Sequence, residues 1–176
     1  MRIEREHTAA IVVDYQEKLV PVMNEKDKLL HNSCILLEGL KILDVPMVIT
    51  QQYTKGLGMT VEEITEAAGT SEYIDKISFT AFDCVKDRLS AKKYVIVCGI
   101  EAHICVLQTV IDLKEAGFVP VLVADCISSR KEADKQVAIE RARQEGAILT
   151  TYESLLFELL KVAGTETSKK IQKLIR

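Results

Sequence analysis

Three side chains in this sequence have the types that acyl chemistry requires, and each stands at or just beyond an apolar run. Asp14 follows Ala9-Ala10-Ile11-Val12-Val13, Lys76 ends Tyr73-Ile74-Asp75, and Cys105 comes a short loop after Tyr94-Val95-Ile96-Val97-Cys98. A cysteine attacks as its thiolate, so it needs a nearby cation and a group that can take and return its proton. An ammonium and a carboxylate supply those two roles. Each residue also has an ordinary reading. Asp14 could cap a turn or helix, Lys76 could snorkel to solvent, and Cys105 could be a small core residue. What favours chemistry is the combination at three strand ends.

The elements that must position these residues follow from hydrophobic periodicity. Six β-type runs are expected, at 8–13, 46–50, 73–77, 93–98, 118–124 and 147–150, with helical segments at 26–43, 105–116, 133–144 and 154–162. Gly117 and Gly146 stand where a helix C′ residue belongs. Thr60-Val61-Glu62-Glu63 has capping-box spacing and opens a small helix before the third strand. Strands alternating with helices imply an α/β chain: a doubly wound, six-stranded parallel sheet with helices on both faces. Ligands of such sheets bind beyond the carboxyl ends of the strands. Cys105 is expected in the first turn of a helix, where free N–H groups and the macrodipole favour a thiolate.

The 176 residues, 48% hydrophobic, suit one domain, with a core over about 6–160 and a helical tail over 164–176. Net charge is −3 and the pI about 5.7, so nucleic acid is not an expected partner. No apolar stretch reaches the ~18 residues a membrane span needs. The charged start, Met1–His7, is not a secretory leader, and the five cysteines lack CxxC or zinc spacing. The chain is read as intracellular, in the cytoplasm, with reduced thiols; Cys34 and Cys98 are inert core positions. The basic tail of Lys169, Lys170, Lys173 and Arg176, interleaved with Ile171, Leu174 and Ile175, reads as a solvated or partner-packed helix. Asp125 is expected to cap a turn with Ser128 and Ser129.

Over roughly residues 6–160 the chain resembles the isochorismatase-like cysteine hydrolases, nearest to the short isochorismatase-domain proteins. The resemblance rests on Ile11-Val12-Val13-Asp14-Tyr15-Gln16, Lys76-Ile77-Ser78-Phe79-Thr80-Ala81-Phe82 and Gly99-Ile100-Glu101-Ala102-His103-Ile104-Cys105-Val106, in that order. It implies a catalytic triad of Asp14, Lys76 and Cys105. It also implies a non-proline cis peptide between Ile100 and Glu101, and an oxyanion hole from the backbone N–H groups of Glu101 and Cys105. Homo-oligomers of two or more subunits are common in the family. Gln16, Gln51, Phe79, Thr80 and His103 are candidate substrate contacts, with Phe82 as core.

Two departures narrow the expectation. Nicotinamidases carry an Asp-x-His metal site after the second strand, whereas here that segment reads Thr50-Gln51-Gln52-Tyr53-Thr54-Lys55-Gly56. No metal is therefore expected. Isochorismatases proper lack the cysteine, so its presence points to acyl transfer rather than vinyl-ether hydrolysis. Neither GxGxxG, a Walker A loop nor a GxSxG elbow occurs, and no cofactor is expected. The leading expectation is hydrolysis of a small amide or related acyl compound through a thioester on Cys105. The alternative is a catalytically weak or inactive homo-oligomeric binding protein that retains the fold. A thiol redox sensor is disfavoured by the lack of a resolving cysteine near Cys105 in sequence.

Overall fold

A computed structural model describes residues 1–176. Along the chain run β1 (Thr8–Val13), α1 (Lys26–Ile42), β2 (Met47–Gln52), α2 (Thr54–Leu57), α3 (Glu62–Ala68), β3 (Tyr73–Lys76), α4 (Phe82–Val85) and β4 (Tyr94–Ile100). A π-helical turn, Ala102–Val106, leads into α5 (Leu107–Glu115). Then come β5 (Val119–Ser128), α6 (Glu132–Gln144), β6 (Ile148–Thr150), α7 (Tyr152–Leu160) and α8 (Glu166–Ile175). The six strands form one parallel sheet in the order β3-β2-β1-β4-β5-β6. All six expected strands and the four expected principal helices are present.

Both central strands are buried on both faces because helices cover both sides. Ala10 and Val12 face a core with Leu36, Leu37, Leu40, Leu155 and Leu156 of α1 and α7. Ala9, Ile11 and Val13 face the other, with Val106, Val110 and Leu113 from the nucleophile turn and α5. The sheet order reverses between β1 and β4, and their neighbouring carboxyl ends open the crevice of a doubly wound fold. Gly99 makes that closeness possible. At φ +131° it passes Val13 so tightly that a Cβ would lie 2.1 Å from the Val13 carbonyl oxygen.

Several local expectations change. Thr60 does not cap α3: Val61 holds the N-cap position with no side-chain bond, and the Thr60 hydroxyl goes to Gln51 Oε1 instead. Asp125 caps no turn with Ser128 and Ser129. It lies inside β5, and its Oδ1 accepts from Tyr152 N at the start of α7. The tail packs one face on its own chain: Thr165 caps α8 through Ser168 N, and Ile171 is buried in the α1-side core. Thr54–Leu57 forms the one-turn α2. Cys34 is only half-buried, unlike Cys98, which is inaccessible. No helix is long and apolar enough to cross a membrane.

Candidate active site

Asp14 stands directly after β1, and its backbone turns into the left-handed region (φ 53°), a conformation that aspartate tolerates better than most residues. Its N–H bonds to Thr50 O of the adjacent strand at 3.2 Å. The Thr50 hydroxyl donates to Asp14 Oδ1 at 2.8 Å. The side chain is fully buried, and Oδ2 lies 2.8 Å from Lys76 Nζ. Lys76 closes β3 with a side chain 1% exposed, so the snorkelling alternative does not apply.

The ammonium is heavily committed. Nζ donates to Gln52 Oε1 at 2.7 Å, Phe79 O at 2.9 Å and Ser78 O at 3.2 Å. Three acceptors use its three N–H groups. Asp14 Oδ2, 2.8 Å away, completes the ammonium's surroundings as an ion pair, and the Cys105 thiol is the carboxylate's further neighbour. Burial raises the Asp14 pKa; the Lys76 charge and the Thr50 hydroxyl counter it only in part. The carboxylate is consequently a stronger base than an exposed aspartate.

Cys105 lies in the π turn, not in the first turn of an α-helix. The turn is marked by Val106 N bonding to Glu101 O, five residues back, at 3.2 Å. The thiol is 6% exposed. Burial pushes it up to about 12, Asp14 adds to the rise, and Lys76 offsets part of it. The resting sulfur is therefore a protonated thiol beside an ion pair. That corrects the expectation of a dipole-stabilised thiolate. Desolvation is the largest cause, and the Asp14 charge weighs more at the sulfur than that of Lys76.

A link between the parts of the site had no signal in the sequence beyond helical spacing. Thr109, four residues after Cys105, donates its hydroxyl to Cys105 O at 2.7 Å and accepts from Ala81 N at 2.8 Å. It ties the nucleophile turn to the loop that cradles Lys76. Gln52 and Thr50 were also missed as partners, although both stand at the carboxyl end of β2. The Ile100–Glu101 peptide bond is cis.

The isochorismatase domain model matches residues 8–154. This chain belongs to the isochorismatase family. It is 36% identical to isochorismatase domain-containing protein 2 of Danio rerio, over 99% of this chain and 89% of that protein. It is also 36% identical to a secreted isochorismatase effector of Phytophthora sojae, over 97% of this chain and 85% of that one. Among solved structures, MAR1 ribonuclease from Caenorhabditis elegans matches with a TM-score of 0.93 at 37% identity, covering 99% of this chain and 92% of that chain. The YcaC gene product of Escherichia coli, described as an octameric hydrolase of unknown specificity, shares the fold with a TM-score of 0.90 at 24% identity, covering 99% and 90%.

Within this isochorismatase-family fold the remaining candidate contacts separate. Gln16 is scaffold: its amide donates to Gln52 O and Gly58 O and accepts from Gln52 N. Gln51 is likewise spent on Thr60 and Thr54. Phe79 is 55% exposed on the loop whose carbonyls hold Lys76, and Thr80 follows it, half-buried. His103 faces away from the ion pair, toward Ser129 and Asp134. Glu101 is buried and bound to Arg130.

Proposed function

We propose that the chain is a cysteine-dependent hydrolase of a small amide or related acyl compound. The observation that carries this reading is the buried Asp14–Lys76 ion pair, 2.8 Å long, beside the Cys105 thiol. Asp14 takes the thiol proton as Cys105 Sγ attacks the carbonyl carbon, and Lys76 holds the charge that develops on sulfur. The carbonyl electrons move to an oxyanion received by the N–H groups of Glu101 and Cys105. The tetrahedral species collapses to a thioester. The C–N bond breaks, and Asp14 returns its proton to the departing amine. Water then gives a proton to Asp14 and its oxygen to the acyl carbon, the C–S bond breaks, and the thiol recovers its proton. Phe79 and Thr80 line the approach, and the protein acts as a homo-oligomer.

The ribonuclease description belongs to the Caenorhabditis elegans protein. Here a net charge of −3 provides no general attraction to RNA, so RNA serves as a control substrate. The test is turnover across a panel of small amides and esters, with intact-mass detection of an acyl adduct and Cys105→Ala alongside. An adduct on Cys105 and loss of turnover in the variant are expected. Full turnover by Cys105→Ala would sink the mechanism. No turnover and no adduct anywhere in the panel would favour the alternative, a homo-oligomeric binding protein that retains the hydrolase fold.

A further inference from the structure

The nucleophile turn sends two polar side chains away from the Asp14–Lys76 pair, both toward one short segment between β5 and α6. Glu101 Oε2 accepts from the backbone N of Arg130 at 3.2 Å and from its Nε at 3.0 Å. His103 Nδ1 meets Ser129 Oγ at 2.9 Å, while Nε2 lies 4.0 Å from Asp134 Oδ2 in the first turn of α6. The sequence Asp134–His103–Ser129 has the order of a serine-hydrolase relay. Ser129, however, is fully buried, so its hydroxyl can attack nothing and the arrangement is a tie. Nδ1 and the Ser129 hydroxyl share one hydrogen bond, and Asp134 adds a longer electrostatic contact at Nε2. The turn bearing Cys105 is thereby held at Glu101 and His103 by a segment that contributes nothing to the proton-carrying pair.

We infer that His103 and Arg130 are positioning residues that clamp the nucleophile turn closed through Ser129 and Glu101. This inference rests on the proposed role of Cys105, but the clamp itself is readable without any substrate. A thiol only 6% exposed meets an external alkylating agent when its turn opens, so the labelling rate reports the opening equilibrium. Release of one such half-buried hydrogen bond shifts an equilibrium by up to about tenfold. The loosened turn exposes the thiol while misplacing it for catalysis. Labelling and turnover should therefore move in opposite directions.

The test is iodoacetamide labelling resolved by mass spectrometry at each cysteine of the full chain. The variants are His103→Ala, His103→Gln, Arg130→Ala and Arg130→Lys. In His103→Ala and Arg130→Ala the Cys105 rate is expected to rise by up to about tenfold, with Cys98 and Cys126 unlabelled. The conservative His103→Gln and Arg130→Lys should recover at least part of the wild-type protection. On any amide that is turned over, kcat should fall with KM little changed. Unchanged Cys105 labelling in both alanine variants would overturn the clamp. So would a rise shared with Cys98 and Cys126, which would mean general loosening. If the amide panel is silent but Cys105 alone is released, the clamp stands and the hydrolase reading is what fails.

Discussion

Asp14 and Lys76, on the β1–β3 side of the site, are locked on every side, whereas Cys105, on the β4–β5 side, is held through a turn with partly exposed supports. The ion pair is 0–1% exposed and its ammonium has three further acceptors. The nucleophile side depends on Arg130, 59% exposed, and on His103, whose outer partner Asp134 is also partly exposed. On the proposed mechanism, charge sits in the half with buried partners and the reacting atom in the half with partly exposed supports. The division makes physical sense. Charges buried in protein act strongly only if their dipoles and partners need not reorganise. A nucleophile must shift as it changes from thiol to tetrahedral adduct to thioester.

Breaking the rigid half should cost most. Lys76→Met leaves a buried carboxylate without its cation and is expected to lose about 3–5 kcal/mol in urea denaturation, together with all activity. Adding Asp14→Asn should restore most of that stability and none of the turnover. A single variant as stable as wild type would contradict the asymmetry. The next largest effect is on pH dependence. The unfolded Cys105 thiol ionises from about 9, while the folded one keeps its proton until about 12. The folded state thus holds the extra proton across that window, and stability falls as pH rises. Each such thiol contributes a slope of about 1.4 kcal/mol per pH unit. Cys105→Ala should remove one thiol's share of the slope, measured by urea midpoints above pH 9.

Smaller effects sharpen the boundary between the two halves. Thr109→Val cuts the bridge from Cys105 O to Ala81 N and should cost about 1–2 kcal/mol, measured by denaturation. Its loss of kcat should exceed its change in KM. Asp14→Asn removes the negative charge that helps to hold the thiol protonated, so Cys105 alkylation at pH 8 should accelerate. Slower labelling in that variant would mean that Asp14 does not bear on the sulfur as the geometry requires.

The fold was legible because its signals are local and repeated. Short β-branched runs such as Tyr94–Cys98 separated by helix-period segments leave few arrangements other than a parallel sheet. The candidate triad was legible as residue types at strand ends, and the structure does place Asp14 and Lys76 in contact. The partners were not legible. Nothing local indicates that Gln16 and Gln51, polar and near the crevice, spend their amides on backbone and neighbouring threonines. Nothing local pairs Glu101 with Arg130 or His103 with Ser129, because these contacts exist only once β4 and β5 lie side by side. The protonated state of Cys105 was misread for a related reason. Helix position can be read from sequence, but desolvation by a packed core cannot. The cap at Thr60 failed because a buried glutamine competed for its hydroxyl.

The strand order has a consequence for synthesis. β1, buried on both faces, lies between β2 and β4, yet β4 is the last of those three to leave the ribosome. A nascent chain that has not reached Tyr94 carries its most apolar strand with one hydrogen-bonding edge bare. Such an edge is a template for pairing with other chains. Fragments ending before β4 should therefore aggregate rather than fold.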